Sequence, residues 1–419
     1  MHTLVSKTAI LKKQGHFTRG EKGGGNKLIY FDNAATSWPK PPEVLAAMEH
    51  CLREVGANPG RAGHKLALAA NRLVDETRKE LAALFNIRDP DRIVFGLNAT
   101  EALNLAIKGL LRPGQHVVTS SMEHNSVTRP LHVLQGRGVE VTKVPCDHTG
   151  AIRVEDVAAA IRSDTVAIVM THASNVTGTI MPVAEIGRLA RKKGLHFIVD
   201  AAQTAGVLDI DVEAMYIDLL AFPGHKSLFG PPGTGGLYVA GGLELTPLKE
   251  GGTGSHSDVP GQPEVLPERY ESGTLNTVGL AGLGAGVKFI RREGIEKIRR
   301  HEQELTGQFL EGLMKIEGIR VYGPRDAARQ APVVSFAVKN RPAGDIGTIL
   351  DQKYNIACRA GLHCAPDAHR TLGTFEQKLV RFSFSYFNRP DEVDYALRCL
   401  LEIVEKDIPA PEGSSGCGC

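Results

Sequence analysis

The sequence predicts an α/β protein with a large, mostly parallel sheet domain and a smaller α+β domain. Three observations predict it. From about residue 92, short apolar runs alternate with amphipathic stretches. Several of those runs are apolar throughout, as strands buried on both faces must be. Beyond about residue 300 the alternation gives way to a few separated strands flanked by helices.

Taken in order, Arg92–Phe95 reads as a strand and Thr100–Leu111 as a helix closed by Pro113-Gly114. Val117–Thr119 and Val139–Val144 are strands, followed by a helix around Asp156–Arg162. Thr165–Met170 is a β-branched buried run. Val183–Lys193 sets Ile186, Leu189 and Ala190 on one helical face against Arg188, Arg191 and Lys192. His196–Val199 and Leu219–Phe222 are further buried strands, and one helix is expected from Gly279 to Arg300. Val333–Val338 and Val380–Phe384 then read as strands beside helices at Gly344–Lys353 and Pro390–Lys406. The expected organisation is a flexible extension over 1–27, a large domain over 28–287, a small domain over 288–408 and a cysteine-containing tail over 409–419. The Gly23-Gly24-Gly25 join and the Pro/Gly/Ser-rich end argue for the two flexible termini.

A chain of 419 residues with 42% hydrophobic content can bury two cores. Its formal charge of +2 gives no electrostatic reason to expect nucleic acid or an acidic surface as partner. No apolar run approaches the ~18–20 residues needed to cross a bilayer, and no secretory signal is expected. Seven scattered cysteines do not read as a disulfide framework, so a reducing cytoplasm is the expected compartment.

In open α/β sheets, ligands collect at the carboxyl ends of strands. Four polar clusters follow apolar runs there: Ala99-Thr100-Glu101, His172–Asn175, Asp200–Gln203 and Gly224-His225-Lys226. A lysine at a buried strand end can have its pKa depressed, which favours imine formation with an aldehyde; the competing reading of Lys226 is a snorkelling surface residue. Asp200 ends Phe197-Ile198-Val199, where a carboxylate is rarely left unpaired. It can hold a pyridine nitrogen protonated, as in pyridoxal 5'-phosphate (PLP) sites, or simply cap the next segment. Thr100 offers a hydroxyl and helix N-terminal amides to an anion, or is a plain N-cap. His124 could lie on an aromatic cofactor or be a structural hydrogen-bonding residue.

Six segments resemble, in order and spacing, the class V aminotransferases. They are Phe31–Thr36, Asn98–Ala102, Met122–Ser126, Ser174–Gly178, Val199–Gln203 and Gly224-His225-Lys226. The seventh, Arg359-Ala360-Gly361-Leu362-His363-Cys364-Ala365, is similar to the active-site loop of the group that holds cysteine desulfurases and selenocysteine lyases. The resemblance covers about residues 28–407. It implies the PLP-dependent transferase (aspartate aminotransferase-like) fold, a homodimer, and L-cysteine or L-selenocysteine as substrate. It also implies roles. Lys226 would hold PLP covalently and move protons, Asp200 would pair with the ring nitrogen, Gln203 with the ring hydroxyl, and His124 would stack on the ring. Thr100, with Ala99 and His225, would bind the phosphate, and Thr274 would reach it across the dimer interface. Asn175 would stand at the cofactor and, with Arg381, hold the substrate carboxylate, with Arg359 beside the cysteine loop. Cys364 would take the substrate sulfur as a persulfide, leaving alanine. No metal is expected. Pro223 departs from the pattern, since many relatives place a hydroxyl residue there as a phosphate ligand. Asn98 stands where a glycine is common.

A persulfide-forming cysteine needs a thiolate on a mobile, partly exposed loop, and Arg359 and His363 beside Cys364 could favour it. Cys51, Cys146 and Cys399 read as packing residues, and Cys358 is assigned no role. Cys417 and Cys419 in the tail could relay sulfur to an acceptor protein, bind a soft metal, close a redox disulfide, or be dispensable. The sequence thus points to a cysteine desulfurase. Selenocysteine lyase, another class V lyase, and a sulfur or metal carrier with a vestigial cofactor site are the alternatives.

Overall fold

The computed structural model describes residues 27–410 except 61, 62, 255–257 and 259. The extension expected over 1–27, save Lys27, and the tail with Cys417 and Cys419 lie outside the described residues. In chain order the strands are β1 (Ile29–Tyr30), β2 (Ile93–Gly96), β3 (His116–Ser120), β4 (Glu140–Val144), β5 (Thr165–Thr171), β6 (His196–Asp200), β7 (Leu219–Pro223) and β8 (Gly235–Val239). They continue as β9 (Ile319–Tyr322), β10 (Val333–Val338), β11 (Ile356–Ala357), β12 (Arg359–Gly361) and β13 (Leu379–Ser383).

Seven strands form the large sheet in the order β2-β8-β7-β6-β5-β3-β4. Pairs β4–β3–β5–β6–β7 are parallel, and β8 runs antiparallel to both β7 and β2. Two reversals restore the direction, so β2 points the same way as the parallel strands. The carboxyl ends of β2, β3, β5, β6 and β7 therefore share one edge.

The period of two along each strand splits the side chains between two cores. In β6, Phe197 and Val199 enter one core with Ile168 and Met170, while Ile198 enters the other with Ala167 and Val169. All of these are at 0% exposure, which explains why the strands read as continuous apolar runs. Helix Val183–Lys193 ends on Gly194 in a left-handed cap, with Arg191, Lys192 and Lys193 favourably placed in its last turn.

The smaller sheet, β12-β13-β10-β9, is antiparallel and has its own core, in which Phe309 stacks on Phe382. β1 pairs parallel with β11, and Phe31 joins this core against Phe382 and Phe384. The single helix expected from Gly279 to Arg300 is two, Thr277–Glu293 and Ile295–Leu313. They part at Gly294, whose φ of 86° a helix cannot contain. Helices Pro42–His50 and Lys65–Leu84 precede the region in which the sequence pattern is legible.

Candidate active site

The shared strand edge opens on a cleft of about 210 Å³. Ala99, Thr100, His124, Asn175, Asp200, Gln203, His225, Lys226, Arg359 and Arg381 all line it. The structure thus brings together residues expected at one site from sequence positions 99 to 381. Thr274 does not line this cleft; it lines a separate depression with Leu97, Gly233 and Ser272. Cys364 is exposed and adjoins the cleft through Arg359, whose Nη2 donates to Sγ at 3.4 Å.

Asp200 closes β6 and is 3% exposed. Its Oδ1 accepts the Ala202 N–H at 2.9 Å, so it does cap the next turn. The other oxygen keeps no hydrogen bond among the described residues. Burial raises its pKa, with Lys226 acting against the rise. Lys226 follows β7 and lines the cleft half-buried, and burial lowers its pKa to about 8 although the Asp200 charge opposes this. The chain reaches it through Gly224, where a Cβ would lie 2.1 Å from Thr234 Oγ1; only a glycine passes there. Lys40 and Ser37 then fix the turn: Lys40 Nζ donates to His225 O at 2.7 Å, and Ser37 Oγ to Lys226 O at 2.7 Å.

Helix Ala99–Leu110 is capped by Asn98, whose Oδ1 accepts the Glu101 N–H at 3.0 Å. The cap is therefore Asn98 and not Thr100. This leaves the Thr100 hydroxyl free to meet Ser126 Oγ at 2.7 Å. His124 caps helix Asn125–Gln135, its Nδ1 accepting the Ser126 N–H at 3.0 Å. Nδ1 thus carries a lone pair and the ring proton sits on Nε2. Burial, then Lys226 and three arginines, push His124 down to about 3, so it is a neutral imidazole. Beneath it Glu123 is wholly buried, and burial pushes its carboxyl up to about 8.

Arg381, 1% exposed, donates Nη2 to Asp32 Oδ1 at 2.7 Å and Nη1 to Asn175 O at 3.1 Å. Asn175 Nδ2 donates to His363 O at 2.6 Å, and Gln203 Nε2 to Ala34 O at 3.2 Å. One expectation fails: His363 does not lend a positive charge to Cys364. Its ring is 2% exposed, and burial with Arg381 nearby holds its pKa well below the usual histidine range. Arg359 is the cation in contact. Among the described cysteines Cys364 is the exposed one, while burial raises the thiols of Cys51, Cys146, Cys358 and Cys399. Sequence reasoning missed Ser126 and Ala34, which line the cleft, and Lys40, which braces it. Ser126 stood inside a motif already singled out, two residues after His124.

The donor set fits PLP. A buried carboxylate keeps an oxygen unpaired for a pyridinium, an amine stands in the same cleft, and two hydroxyls flank a helix N-terminus able to receive a phosphate. Pro223 lines the cleft without a hydroxyl, but Ser126 places one next to Thr100. Fold and site together define a PLP-type α/β enzyme, and the comparisons agree. The aminotransferase class-V family model matches residues 29–396, and the chain belongs to that family of PLP-dependent enzymes. A probable cysteine desulfurase of Methanothermobacter thermautotrophicus is 38% identical over 385 residues, spanning 90% of this chain and 94% of the relative. One from Pyrococcus abyssi is 36% identical over 391 residues, spanning 90% and 95%. The apo cysteine desulfurase structure of Thermococcus onnurineus NA1 superimposes with a TM-score of 0.85 at 35% identity, covering 90% of this chain and 95% of that one. Among the described residues no helix is long and apolar enough to cross a membrane, and no group of three or more metal-ligating side chains occurs.

Proposed function

We propose that the chain is a PLP-dependent cysteine desulfurase that converts L-cysteine to L-alanine and keeps the sulfur as a persulfide on Cys364. The observation that carries this reading is the meeting of Lys226 and Asp200 in one cleft with the exposed Cys364 bonded to a cleft residue, Arg359. When bound, PLP supplies an electron-accepting ring that labilises bonds at the substrate α-carbon.

The chain's own residues do the rest. Asp200, desolvated and half unpaired, holds the ring nitrogen protonated. Lys226, with its pKa lowered to about 8, has an appreciable neutral fraction near neutrality, so it can bond the cofactor and move a proton at the α-carbon. Neutral His124 would stack on the ring and offer its Nε2–H. Gln203 would hold the ring hydroxyl; Thr100, Ala99 and His225 would take the phosphate, with Asn175 at the cofactor. Asn175 and Arg381 hold the substrate carboxylate. The Cys364 thiolate attacks the substrate sulfur: an S–S bond forms and the C–S bond breaks. Its electron pair stays on carbon, which is protonated and leaves as alanine.

A homodimer belongs to this reading. Thr274 lies off its own chain's cleft, free to serve a partner's. Leu45, Leu52, Leu66 and Leu68 are 70%, 65%, 50% and 46% exposed, apolar side chains that a second copy would cover. A sulfur-acceptor protein and a cytoplasmic location complete the proposal, the latter supported by five free thiols among the described cysteines. The test is alanine release from cysteine and from selenocysteine for wild type, Lys226→Ala and Cys364→Ala. Borohydride trapping of PLP on a lysine other than Lys226 sinks the site. Turnover of selenocysteine alone would make the enzyme a selenocysteine lyase.

A further inference from the structure

The loop that carries Cys364 is held in a strained shape. His363 and Cys364 have φ of 53° and 57°, the left-handed region that side chains disfavour. Two main-chain bonds hold it to the cleft: Asn125 N donates to Cys364 O at 2.8 Å and Asn175 Nδ2 to His363 O at 2.6 Å. A third anchor lies behind it. His363 Nε2 stands 3.4 Å from Arg359 O, His363 Nδ1 lies 3.4 Å from His369 Nε2, and His369 Nδ1 lies 2.8 Å from Thr374 Oγ1. The two rings are nearly parallel, at 22°, and His369 and Thr374 are both at 0% exposure.

The proton positions in this row follow from one fixed end. A main-chain carbonyl only accepts, so His363 Nε2 must carry a proton. In a neutral ring Nδ1 then accepts, so His369 Nε2 must donate to it. His369 Nδ1 is left as an acceptor, and the Thr374 hydroxyl gives its one proton to it at 2.8 Å in preference to the longer alternative, His369 O at 3.5 Å. The opposite direction would set a lone pair against the lone pairs of Arg359 O. A protonated ring would set N–H against N–H. Burial and the nearby Arg381 and Arg359 guanidinium groups disfavour a charged His363, and burial brings His369 down to about 4.

We infer that Thr374, His369 and His363 form a one-directional hydrogen-bond chain that fixes the Arg359 main chain and holds the Cys364 loop to the cleft. Thr374 and His369 are positioning residues for the sulfur-accepting thiol. The inference rests on the reading of Cys364 as that thiol, and its test needs neither substrate nor turnover. Neutron diffraction of the perdeuterated wild type should find a deuteron on Nε2 of both rings and none on either Nδ1. Thr374→Val removes the donor while keeping the shape. Amide exchange at Ala365, whose N–H closes the loop onto Leu362 O at 2.9 Å, should then quicken about five- to tenfold, the factor expected from one lost buried hydrogen bond. Thr374→Ser should restore the wild-type rate. A deuteron on Nδ1 of either ring, unchanged exchange in the valine variant, or a serine variant that behaves like valine overturns the chain. Failure of the desulfurase reading would instead appear as full cysteine turnover in Cys364→Ala, with these readings unaffected.

Discussion

Asp32→Asn removes the carboxylate that faces the buried Arg381 guanidinium, a pair at 2.7 Å with the arginine 1% and the aspartate 21% exposed. Arg381 also has Nε buried without a partner, so its remaining hydrogen bonds, Nη1 to Asn175 O and Nη2 to the asparagine oxygen, would both be to neutral groups. Breaking a buried ion pair by deleting one charge costs about 3–5 kcal/mol. Water can reach the Asp32 side, and the asparagine oxygen still accepts, so the cost falls below that range, to about 2–3 kcal/mol. At ~2.1 cal/mol/K per residue, 419 residues give an unfolding entropy near 0.9 kcal/mol/K, so Tm of the cofactor-free protein should fall by about 3 °C. The decisive comparison is the same change made in an Arg381→Met background, where no buried charge is left to strand. There the drop should shrink to less than about 1 °C. An equal drop in both backgrounds would refute the reasoning, because the loss would then not come from the pair.

Cys364→Ala should lose most cysteine turnover while the visible absorbance of bound PLP persists, and unaltered turnover would make the reaction a simple elimination. Gly224→Ala should destabilise by about 1–3 kcal/mol and weaken PLP binding, because its Cβ meets Thr234 Oγ1 at 2.1 Å. Thr234→Ala should ease the clash by removing the 2.1 Å contact while the 2.9 Å approach to its Cβ remains, and a double variant no better than the single contradicts that cause. Acid should unfold the protein early. Burial pushes His172, 4% exposed, from 6.5 down to about 4, so the unfolded chain takes up a proton first. The stability this neutral ring allows is full above pH ~6.5 and is lost as pH falls toward 4, about 3 kcal/mol in all. His172→Phe should flatten that limb of a Tm-versus-pH curve, and an unchanged slope rules the cause out. Truncation after Pro411 should slow multiple turnover with a protein acceptor if Cys417 or Cys419 relays sulfur, and mass spectrometry after one turnover locates the sulfane sulfur.

The parallel strands were legible because a strand buried on both faces needs an unbroken apolar run, and few other local patterns do. The polar residues just past those runs mark the site for the same reason. β8 was not legible. Gly235 and Gly236 give no apolar signal, and they are needed because a Cβ at Gly236 would lie 2.7 Å from the Phe222 ring and 2.8 Å from Val94 O. The break at Gly294 was hidden because apolar spacing continues across it while the backbone turns. The neutrality of His363 depends on burial by distant segments, which adjacency to Cys364 does not reveal. Asn98 is the instructive case. It departs from the family pattern, yet it caps the helix and so frees the Thr100 hydroxyl.

The two asparagines that pin the cysteine loop sit past the ends of neighbouring strands, β3 and β5, and Asn175 is also a cleft residue. A swing of the loop main chain outward must break the bonds from Asn125 N and Asn175 Nδ2. On the proposed function, hand-over of sulfur by a moving loop would therefore be coupled to the state of the binding cleft. A loop extended toward an acceptor leaves the Asn175 amide searching for a new partner, and an incoming carboxylate is one. On the proposed function, the outward and inward tasks would take turns, because they share a single set of hydrogen bonds.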